Sequence, residues 1–215
     1  MLIVSFLRHG STAWNEQGRM QGQRDVPLSA TGRAEVARWR FPTCDGEPVE
    51  WLSSPLARAV ETARALSGIS PEVVPALTEM DWGEWEGHRL ADLRARFGGA
   101  FTANERRGLD FRPPGGESPR EVMARVTRWL DSIAESRRPI VAVTHNGVLR
   151  ALLAFATGWD MTGKAPVKLR PATFHRFAFE RGPRLRLLAC NEPLGPPLTA
   201  QRSSPPPPEP SATLR

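Results

Sequence analysis

Short apolar runs alternate with longer segments of helical period along most of this chain. Five apolar runs have strand character, at residues 2–7, 49–53, 140–144, 173–179 and 185–189, and helices are predicted at 31–40, 56–66, 119–135 and 147–157. This alternation is typical of a mostly parallel sheet that is covered by helices on both faces. The sequence therefore predicts an α/β fold, a three-layer sandwich around one central sheet.

The predicted helix at 119–135 has the strongest start signal in the chain. Ser118 can cap the helix, Pro119 suits the first helical position, and Glu121 completes a capping box with Ser118. We therefore expect this helix to begin at Pro119.

Two segments depart from the alternating pattern. Residues 81–117 contain two tryptophans, several glycines and a Pro-Pro-Gly-Gly run, which predicts a small helical lid over the sheet edge. From residue 193 the chain turns to proline, serine and threonine, which cannot pack a core. We therefore expect one domain over 1–192 and a disordered tail over 193–215.

The basic charge of the chain does not indicate nucleic-acid binding. The formal net charge is +6, but Lys164 and Lys168 are the only lysines, and the arginines are spread over several predicted helices. Recognition of a nucleic-acid backbone needs clustered cations rather than a generally basic composition. We expect no nucleic-acid partner.

Cysteine usage and hydropathy indicate a protein without a metal site or membrane segment. Cys44 and Cys190 lie in no CxxC or Cys/His spacing, so we expect reduced thiols rather than a zinc site or a disulfide. The opening apolar run is too short for a signal peptide, and His145 interrupts the apolar stretch at 140–158. A cytoplasmic protein with no membrane partner and no cofactor is expected.

Two histidines follow predicted strands, where open α/β sheets place their ligands. His9 stands between Arg8 and Gly10 after the first strand, and His145 separates the strand at 140–144 from the next helix. An imidazole beside a fixed cation and a glycine offers a nucleophile, a charge and close backbone approach to an anion. The neighbouring arginine also favours the neutral, nucleophilic form of His9.

Arg58 and Glu79 are candidates for the remaining parts of a phosphoryl-transfer site. Arg58 follows a strand end within one turn, and arginine is suited to bidentate binding of phosphoryl oxygens without a metal. Glu79 has apolar neighbours and could donate a proton to a leaving oxygen. Glu84 and Glu86 are alternatives, but their polar flanks favour a solvated position for both.

Several ordered blocks give the chain a resemblance to a known family. It is similar to the histidine phosphatase superfamily, whose fold is also called phosphoglycerate mutase-like. The blocks are LRHGSTAWN at 7–15, GRMQG at 18–22, DVPL at 25–28, SSPLARAVETA at 53–63, LTEMDWGEWEG at 77–87, GES at 116–118 with Arg125, and VTHNGVLR at 143–150.

The resemblance implies a metal-independent phosphatase that works through a phosphohistidine. It makes His9 the nucleophile, and it assigns Arg8, Arg58 and His145 to the phosphoryl oxygens. Glu79 would protonate the leaving group and then activate water.

The same resemblance implies further substrate contacts and contains one departure. Asn15 would help to hold the phosphate, and Gln21 with Gly22 would line the substrate side. Many members carry glycine directly after the second histidine, whereas this chain has Asn146 there and Gly147 next. Asn146 could therefore add a hydrogen-bond donor to the pocket or narrow it, which bears on substrate preference.

The expected substrate is a small phosphorylated metabolite, with three alternatives. Phosphoglycerate mutases of this family usually carry a longer basic lid insertion, which favours a phosphatase here. The segments at 79–87 and 145–149 are similar to those of α-ribazole-5'-phosphate phosphatases of cobalamin biosynthesis. From another class, the chain could be a catalytically silent scaffold with a proline-rich tail that binds a partner.

Overall fold

A computed structural model describes residues 1–42, 49–136, 138–182 and 184–195. Its centre is a six-stranded sheet in the order β3-β2-β4-β1-β5-β6. Only β5 runs against its neighbours, because β1–β4, β4–β2 and β2–β3 pair in parallel and β5 pairs antiparallel with both β1 and β6. The predicted α/β fold with a mostly parallel sheet is therefore confirmed. The strands are β1 Leu2–Arg8, β2 Glu50–Ser53, β3 Glu72–Val73, β4 Ile140–Thr144, β5 Thr173–Glu180 and β6 Arg184–Pro193.

Within the described ranges, six α-helices connect and cover these strands. They are α1 Ala13–Glu16, α2 Ala30–Val36, α3 Ala57–Ser67, α4 Leu90–Glu105, α5 Pro119–Ser132 and α6 Asn146–Thr157. The predicted helix at 31–40 extended too far, and α1 and β3 were not predicted. Both missed elements are too short to show a period in the sequence. Helix α5 begins as expected, because Ser118 accepts from the Glu121 amide and the Glu121 carboxylate accepts from the Ser118 amide.

Two apolar clusters lie on opposite faces of the sheet because strand side chains alternate. Val4 and Phe6 of β1 belong to the cluster that α5 and α6 cover. Leu7 of the same strand belongs to the other cluster, which includes Ala59 and Ala63 of α3. This arrangement gives the three layers that the sequence predicts.

The segment at 81–117, for which a helical lid is predicted, contains α4 and has its own small apolar cluster. Trp85, Leu93 and Phe101 form its buried centre, and Trp82 and Phe111 pack against them. Helix α4 is broken at Gly98, whose φ of 47° lies in the region that favours glycine.

Three parallel strands bring three polar residues to one edge of the sheet. Arg8 pairs with Thr144, and Ser53 pairs with Val143, so β1, β4 and β2 end in register. The next backbone amides continue the ladder: His9 N–H donates to Thr144 O and Ser54 N–H to Val143 O, each at 3.0 Å. His9, Ser54 and His145 therefore follow adjacent strand ends.

Residues 193–195, which were predicted to begin the disordered tail, are part of the folded domain: β6 ends at Pro193. Leu194 packs into the second cluster, and Gly195 pairs with Arg40. Residues 196–215 of the predicted tail and Cys44 lie outside the described residues. In the described ranges, no helix is long and apolar enough to cross a membrane.

Candidate active site

His9 is held so that one ring nitrogen is available for reaction. Its Nδ1 lies 2.7 Å from the Gly10 carbonyl oxygen, which can only accept, so Nδ1 carries the proton and Nε2 keeps its lone pair. Burial, followed by the charges of Arg8 and Arg58, holds the pKa of His9 well below its usual range. His9 is therefore a neutral imidazole with a free lone pair at neutral pH.

His145 lies beside His9 at the start of α6. The two ring centroids are 5.0 Å apart, with an angle of 56° between the planes. His145 is fully buried, its Nε2 lies 2.7 Å from Ser54 Oγ, and its Nδ1 has no hydrogen-bond partner among the described residues. Burial is the main cause that lowers the pKa of His145 well below its usual range, so this ring is also neutral.

Arg58 is a fully buried cation that backbone carbonyls hold in place. Its two terminal nitrogens donate to Arg24 O and Gly22 O, both at 2.8 Å. Burial lowers its pKa, but the ordinary value is so high that the guanidinium stays charged. The carboxylates of Glu79, Asp25 and Glu86 stabilise this buried charge only through space, so a bound anion in direct contact would stabilise it further.

The buried polar atoms without partners also gather in this region. In the described parts of the chain they are Arg8 Nε, Gln21 Oε1, Arg58 Nε and His145 Nδ1. Buried polar groups are almost always hydrogen-bonded in folded proteins, so each exception needs an explanation. Three of the four atoms, all except Gln21 Oε1, belong to groups that can donate a hydrogen bond to an anion.

Glu79 supplies a buried carboxyl next to the start of α6. Its Oε1 accepts from the Met80 amide at 2.8 Å, and its Oε2 accepts from the Gly147 amide at 3.2 Å. Burial raises the pKa of Glu79, although these two hydrogen bonds and the nearby arginines oppose the shift. A carboxyl with a raised pKa can act as an acid closer to neutral pH than an exposed one.

An ion pair fixes the segment that carries Glu79. Arg125 binds Glu117 with Nε–Oε1 at 2.8 Å, and it donates to the carbonyls of Ala76 and Thr78. The GES block and Arg125 therefore hold the backbone on the N-terminal side of Glu79.

Glu84 and Glu86 were both expected at solvated positions. Glu84 is exposed as expected, but the side chain of Glu86 is largely buried. The side chain of Glu86 is only 8% exposed, accepts from the Gln23 amide at 2.6 Å and pairs with Arg24 at 3.3 Å. A Cβ on Gly22 would lie 1.9 Å from Glu86 Oε1, so glycine is needed at this contact. Glu86 supports the loop whose carbonyls hold Arg58, and its partners lie too far along the sequence for local flanks to reveal them.

The remaining predicted contacts line one cleft of about 820 Å³. Asn15 uses its Oδ1 to accept from the amide and hydroxyl of Thr12, which fixes its side chain. Asn146 is exposed at the start of α6. His145 is fully buried beside His9 and is not one of the residues that line the cleft. The predicted site residues that do are Arg8, His9, Asn15, Gln21, Gly22, Arg58, Glu79 and Asn146.

Arg150 is a cleft residue to which the sequence assigned no role. It lies one helical turn after Asn146, and its guanidinium stacks 4.9 Å from the ring centroid of Trp159. Burial lowers its pKa, and no carboxylate of the described residues lies within the 4.0 Å of an ion pair. Its position at i+4 from a predicted contact on a helix was a usable signal.

The other two histidines have no part in this cluster. His88 is exposed. His175 is buried in β5, where its Nδ1 accepts from the Asn191 amide at 3.1 Å, and burial lowers its pKa to about 4. Over the described ranges, no group of three or more His, Cys, Asp or Glu residues is arranged to hold a metal ion.

Comparisons with known proteins agree with this geometry. The family model described as "Histidine phosphatase superfamily (branch 1)" matches residues 4–192. A glucosyl-3-phosphoglycerate phosphatase of Mycolicibacterium vanbaalenii is 37% identical over 174 residues, which cover 73% of this chain and 77% of the relative. A 2,3-bisphosphoglycerate-dependent phosphoglycerate mutase 2 of Gloeobacter violaceus is 33% identical over 164 residues, which cover 71% and 74%.

A solved structure has a similar fold to this chain. It is a mycobacterial glucosyl-3-phosphoglycerate phosphatase complexed with VO3, with a TM-score of 0.73 and 29% identity, and the match covers 89% of this chain and 99% of that one.

Proposed function

Because the chain belongs to branch 1 of the histidine phosphatase superfamily, we propose that it hydrolyses a phosphate monoester of a small metabolite through a phosphohistidine at His9. The observation that carries this proposal is the convergence of His9, His145, Arg8 and Arg58 near the cleft that the buried carboxyl of Glu79 also lines.

The first step transfers the phosphoryl group to the enzyme. The Nε2 lone pair of His9 attacks phosphorus, the bond to the leaving oxygen breaks, and Glu79 gives its proton to that oxygen. The alcohol leaves, and a nitrogen–phosphorus bond remains on His9.

The second step returns the enzyme to its starting state. Water attacks phosphorus while the Glu79 carboxylate takes its proton, and the nitrogen–phosphorus bond breaks as inorganic phosphate forms. Arg8 and Arg58 stabilise the charge that spreads over the phosphoryl oxygens in both steps. Asn15, with its amide oxygen engaged by Thr12, can turn its NH₂ group toward the same oxygens.

Hydrolysis of p-nitrophenyl phosphate tests the proposal directly. Turnover is expected to persist at full rate in excess EDTA, because every proposed role belongs to a side chain. The measurement is the release of p-nitrophenol after dialysis against chelator, with and without added Mg²⁺ or Zn²⁺. A rate that disappears with EDTA and returns with metal would contradict the mechanism.

Arg150 favours a substrate whose leaving group carries its own anion. Its half-buried charge has no carboxylate partner in the described structure, and it lines the cleft beyond the phosphoryl site. A phosphoglycerate-type leaving group carries a carboxylate, and two relatives are named for such substrates. The α-ribazole-5'-phosphate and mutase alternatives stay predictions, and stimulation of isomerisation by 2,3-bisphosphoglycerate would favour the mutase.

Substitution of Arg150 separates these substrates. Arg150→Gln is expected to lower kcat/KM for 3-phosphoglycerate about 10- to 100-fold, the effect of losing one charge-assisted hydrogen bond, and to change that for glycerol 3-phosphate less than about threefold. Arg150→Lys should recover part of the loss. Arg181→Gln, which removes an exposed arginine paired with Glu135, is the matched control. Equal losses of kcat/KM on both substrates would show that Arg150 does not discriminate between them.

A further inference from the structure

Ser54 is a buried hydroxyl to which the proposed mechanism gives no role. Its side chain is fully buried directly after β2, and its Oγ lies 2.7 Å from Nε2 of His145. The amide of Leu56 donates to the same Oγ at 3.3 Å. These two contacts define the hydrogen bonding of Ser54 Oγ in the described structure.

The direction of the Ser54–His145 hydrogen bond follows from the number of protons. A serine hydroxyl has one proton to donate and two lone pairs to accept with. The Leu56 amide occupies one lone pair, and Nε2 of His145 is the available acceptor for the proton. Leaving a buried hydroxyl proton without an acceptor is unfavourable. Ser54 therefore donates, which requires Nε2 of His145 to be unprotonated.

We propose that Ser54 fixes His145 in its Nδ1–H tautomer and so directs an N–H donor, rather than a lone pair, at a phosphoryl oxygen. Nδ1 is the ring nitrogen without a partner, and the ring lies beside His9. The inference rests on the proposed function, because it concerns the phosphoryl group that His9 would attack.

The tautomer matters because His145 is neutral. Burial keeps its pKa low, so the ring carries one proton and donates from one nitrogen only. With the proton on Nε2, the Nδ1 lone pair would face phosphoryl oxygens and repel them. Ser54 thus acts on the reaction through His145 and is a positioning residue.

Nitrogen NMR of the wild-type protein tests the tautomer without any variant of Ser54. The chain has four histidines, so a sample labelled with ¹⁵N-histidine gives few ring signals, and His145→Gln identifies those of residue 145. Nδ1 of His145 is expected to give a protonated-type resonance and Nε2 an unprotonated-type one. The reverse pattern would overturn the inference.

Variants of the two adjacent serines connect the tautomer to the rate. Ser54→Ala is expected to lose the uniform Nδ1–H signal and to lower kcat for p-nitrophenyl phosphate about 30-fold, within the range for loss of one transition-state hydrogen-bond donor. Ser54→Thr keeps a hydroxyl and should recover most of kcat. The control is Ser53→Ala, since the Ser53 hydroxyl donates to the Ser54 carbonyl rather than to His145.

The outcomes separate this inference from the proposed function. An Nδ1–H tautomer in the wild type that persists with an unchanged kcat in Ser54→Ala would overturn the role of Ser54 while leaving a working phosphatase. Absence of phosphomonoester hydrolysis by the wild type would instead contradict the proposed function, whatever the NMR pattern. Loss of both the signal and the rate in Ser54→Ala, with both retained in Ser53→Ala, supports the inference.

Discussion

His9→Ala is expected to lower kcat for p-nitrophenyl phosphate by on the order of 10⁴-fold or more, because removal of a nucleophile eliminates the covalent path. The geometry makes Nε2 of His9 the attacking atom, because Nδ1–H donates a hydrogen bond to Gly10 O and burial keeps the ring neutral. His145 cannot replace it, since its Nε2 is hydrogen-bonded to Ser54 and its Nδ1 carries the proton in the proposed tautomer. Two measurements check this: steady-state turnover, and ³¹P NMR of the phosphohistidine. The phosphohistidine is identified by its lability in acid and its stability in alkali.

The matched control for this variant is His88→Ala, because His88 is exposed and makes no contact with the cluster. It should retain full turnover and the same phosphohistidine signal. Circular dichroism and thermal unfolding of both variants show whether the fold is intact. Substantial activity in folded His9→Ala, or a phosphohistidine signal that survives in it, would assign the nucleophile to another residue.

The parts of the molecule that sequence could predict depend on local rules. A strand's carboxyl end is recognisable from the apolar run that precedes it, so His9 and His145 could be placed at the sheet edge, and the capping box fixed the start of α5. Arg58 and Glu79 were candidates from their positions in the sequence, and the family resemblance implied the same roles. Their burial follows from the lid and the loop at 21–25, which no local pattern specifies.

The supporting contacts could not be predicted because they join residues distant in sequence. Glu86 was expected at a solvated position, yet its carboxylate binds the amide of Gln23, 63 residues away. Ser54 reaches His145 across 91 residues, and only the pairing of β2 with β4 makes that contact possible. The chemistry of a site can thus be recognised before the structure is known, whereas the groups that orient its side chains emerge from strand order and register.

Glu79→Gln is expected to slow hydrolysis according to how much the leaving group needs a proton. An alkyl phosphate such as glycerol 3-phosphate should lose about 100- to 1,000-fold in kcat/KM, and p-nitrophenyl phosphate about tenfold, because p-nitrophenolate leaves without full protonation. The Glu79 carboxylate accepts from two backbone amides with its two oxygens, whereas a glutamine side chain has only one accepting oxygen. The variant therefore loses one of these hydrogen bonds, and its thermal unfolding is measured to show that the fold is intact. Glu84→Gln is the matched control, since Glu84 is an exposed carboxylate of the same segment.

The pH dependence of the alkyl phosphate reaction gives the second half of this test. Glu79 must be protonated when it donates, and burial raises its pKa above the ordinary carboxyl range. With transfer to His9 rate-limiting, kcat/KM should fall as pH rises through that raised pKa, and Glu79→Gln should lose this limb because glutamine does not titrate. Equal slowing of both substrates, or an unchanged alkaline limb in the variant, would identify a different acid. The buried carboxyl would then serve the cleft as a structural acceptor for the Met80 and Gly147 amides.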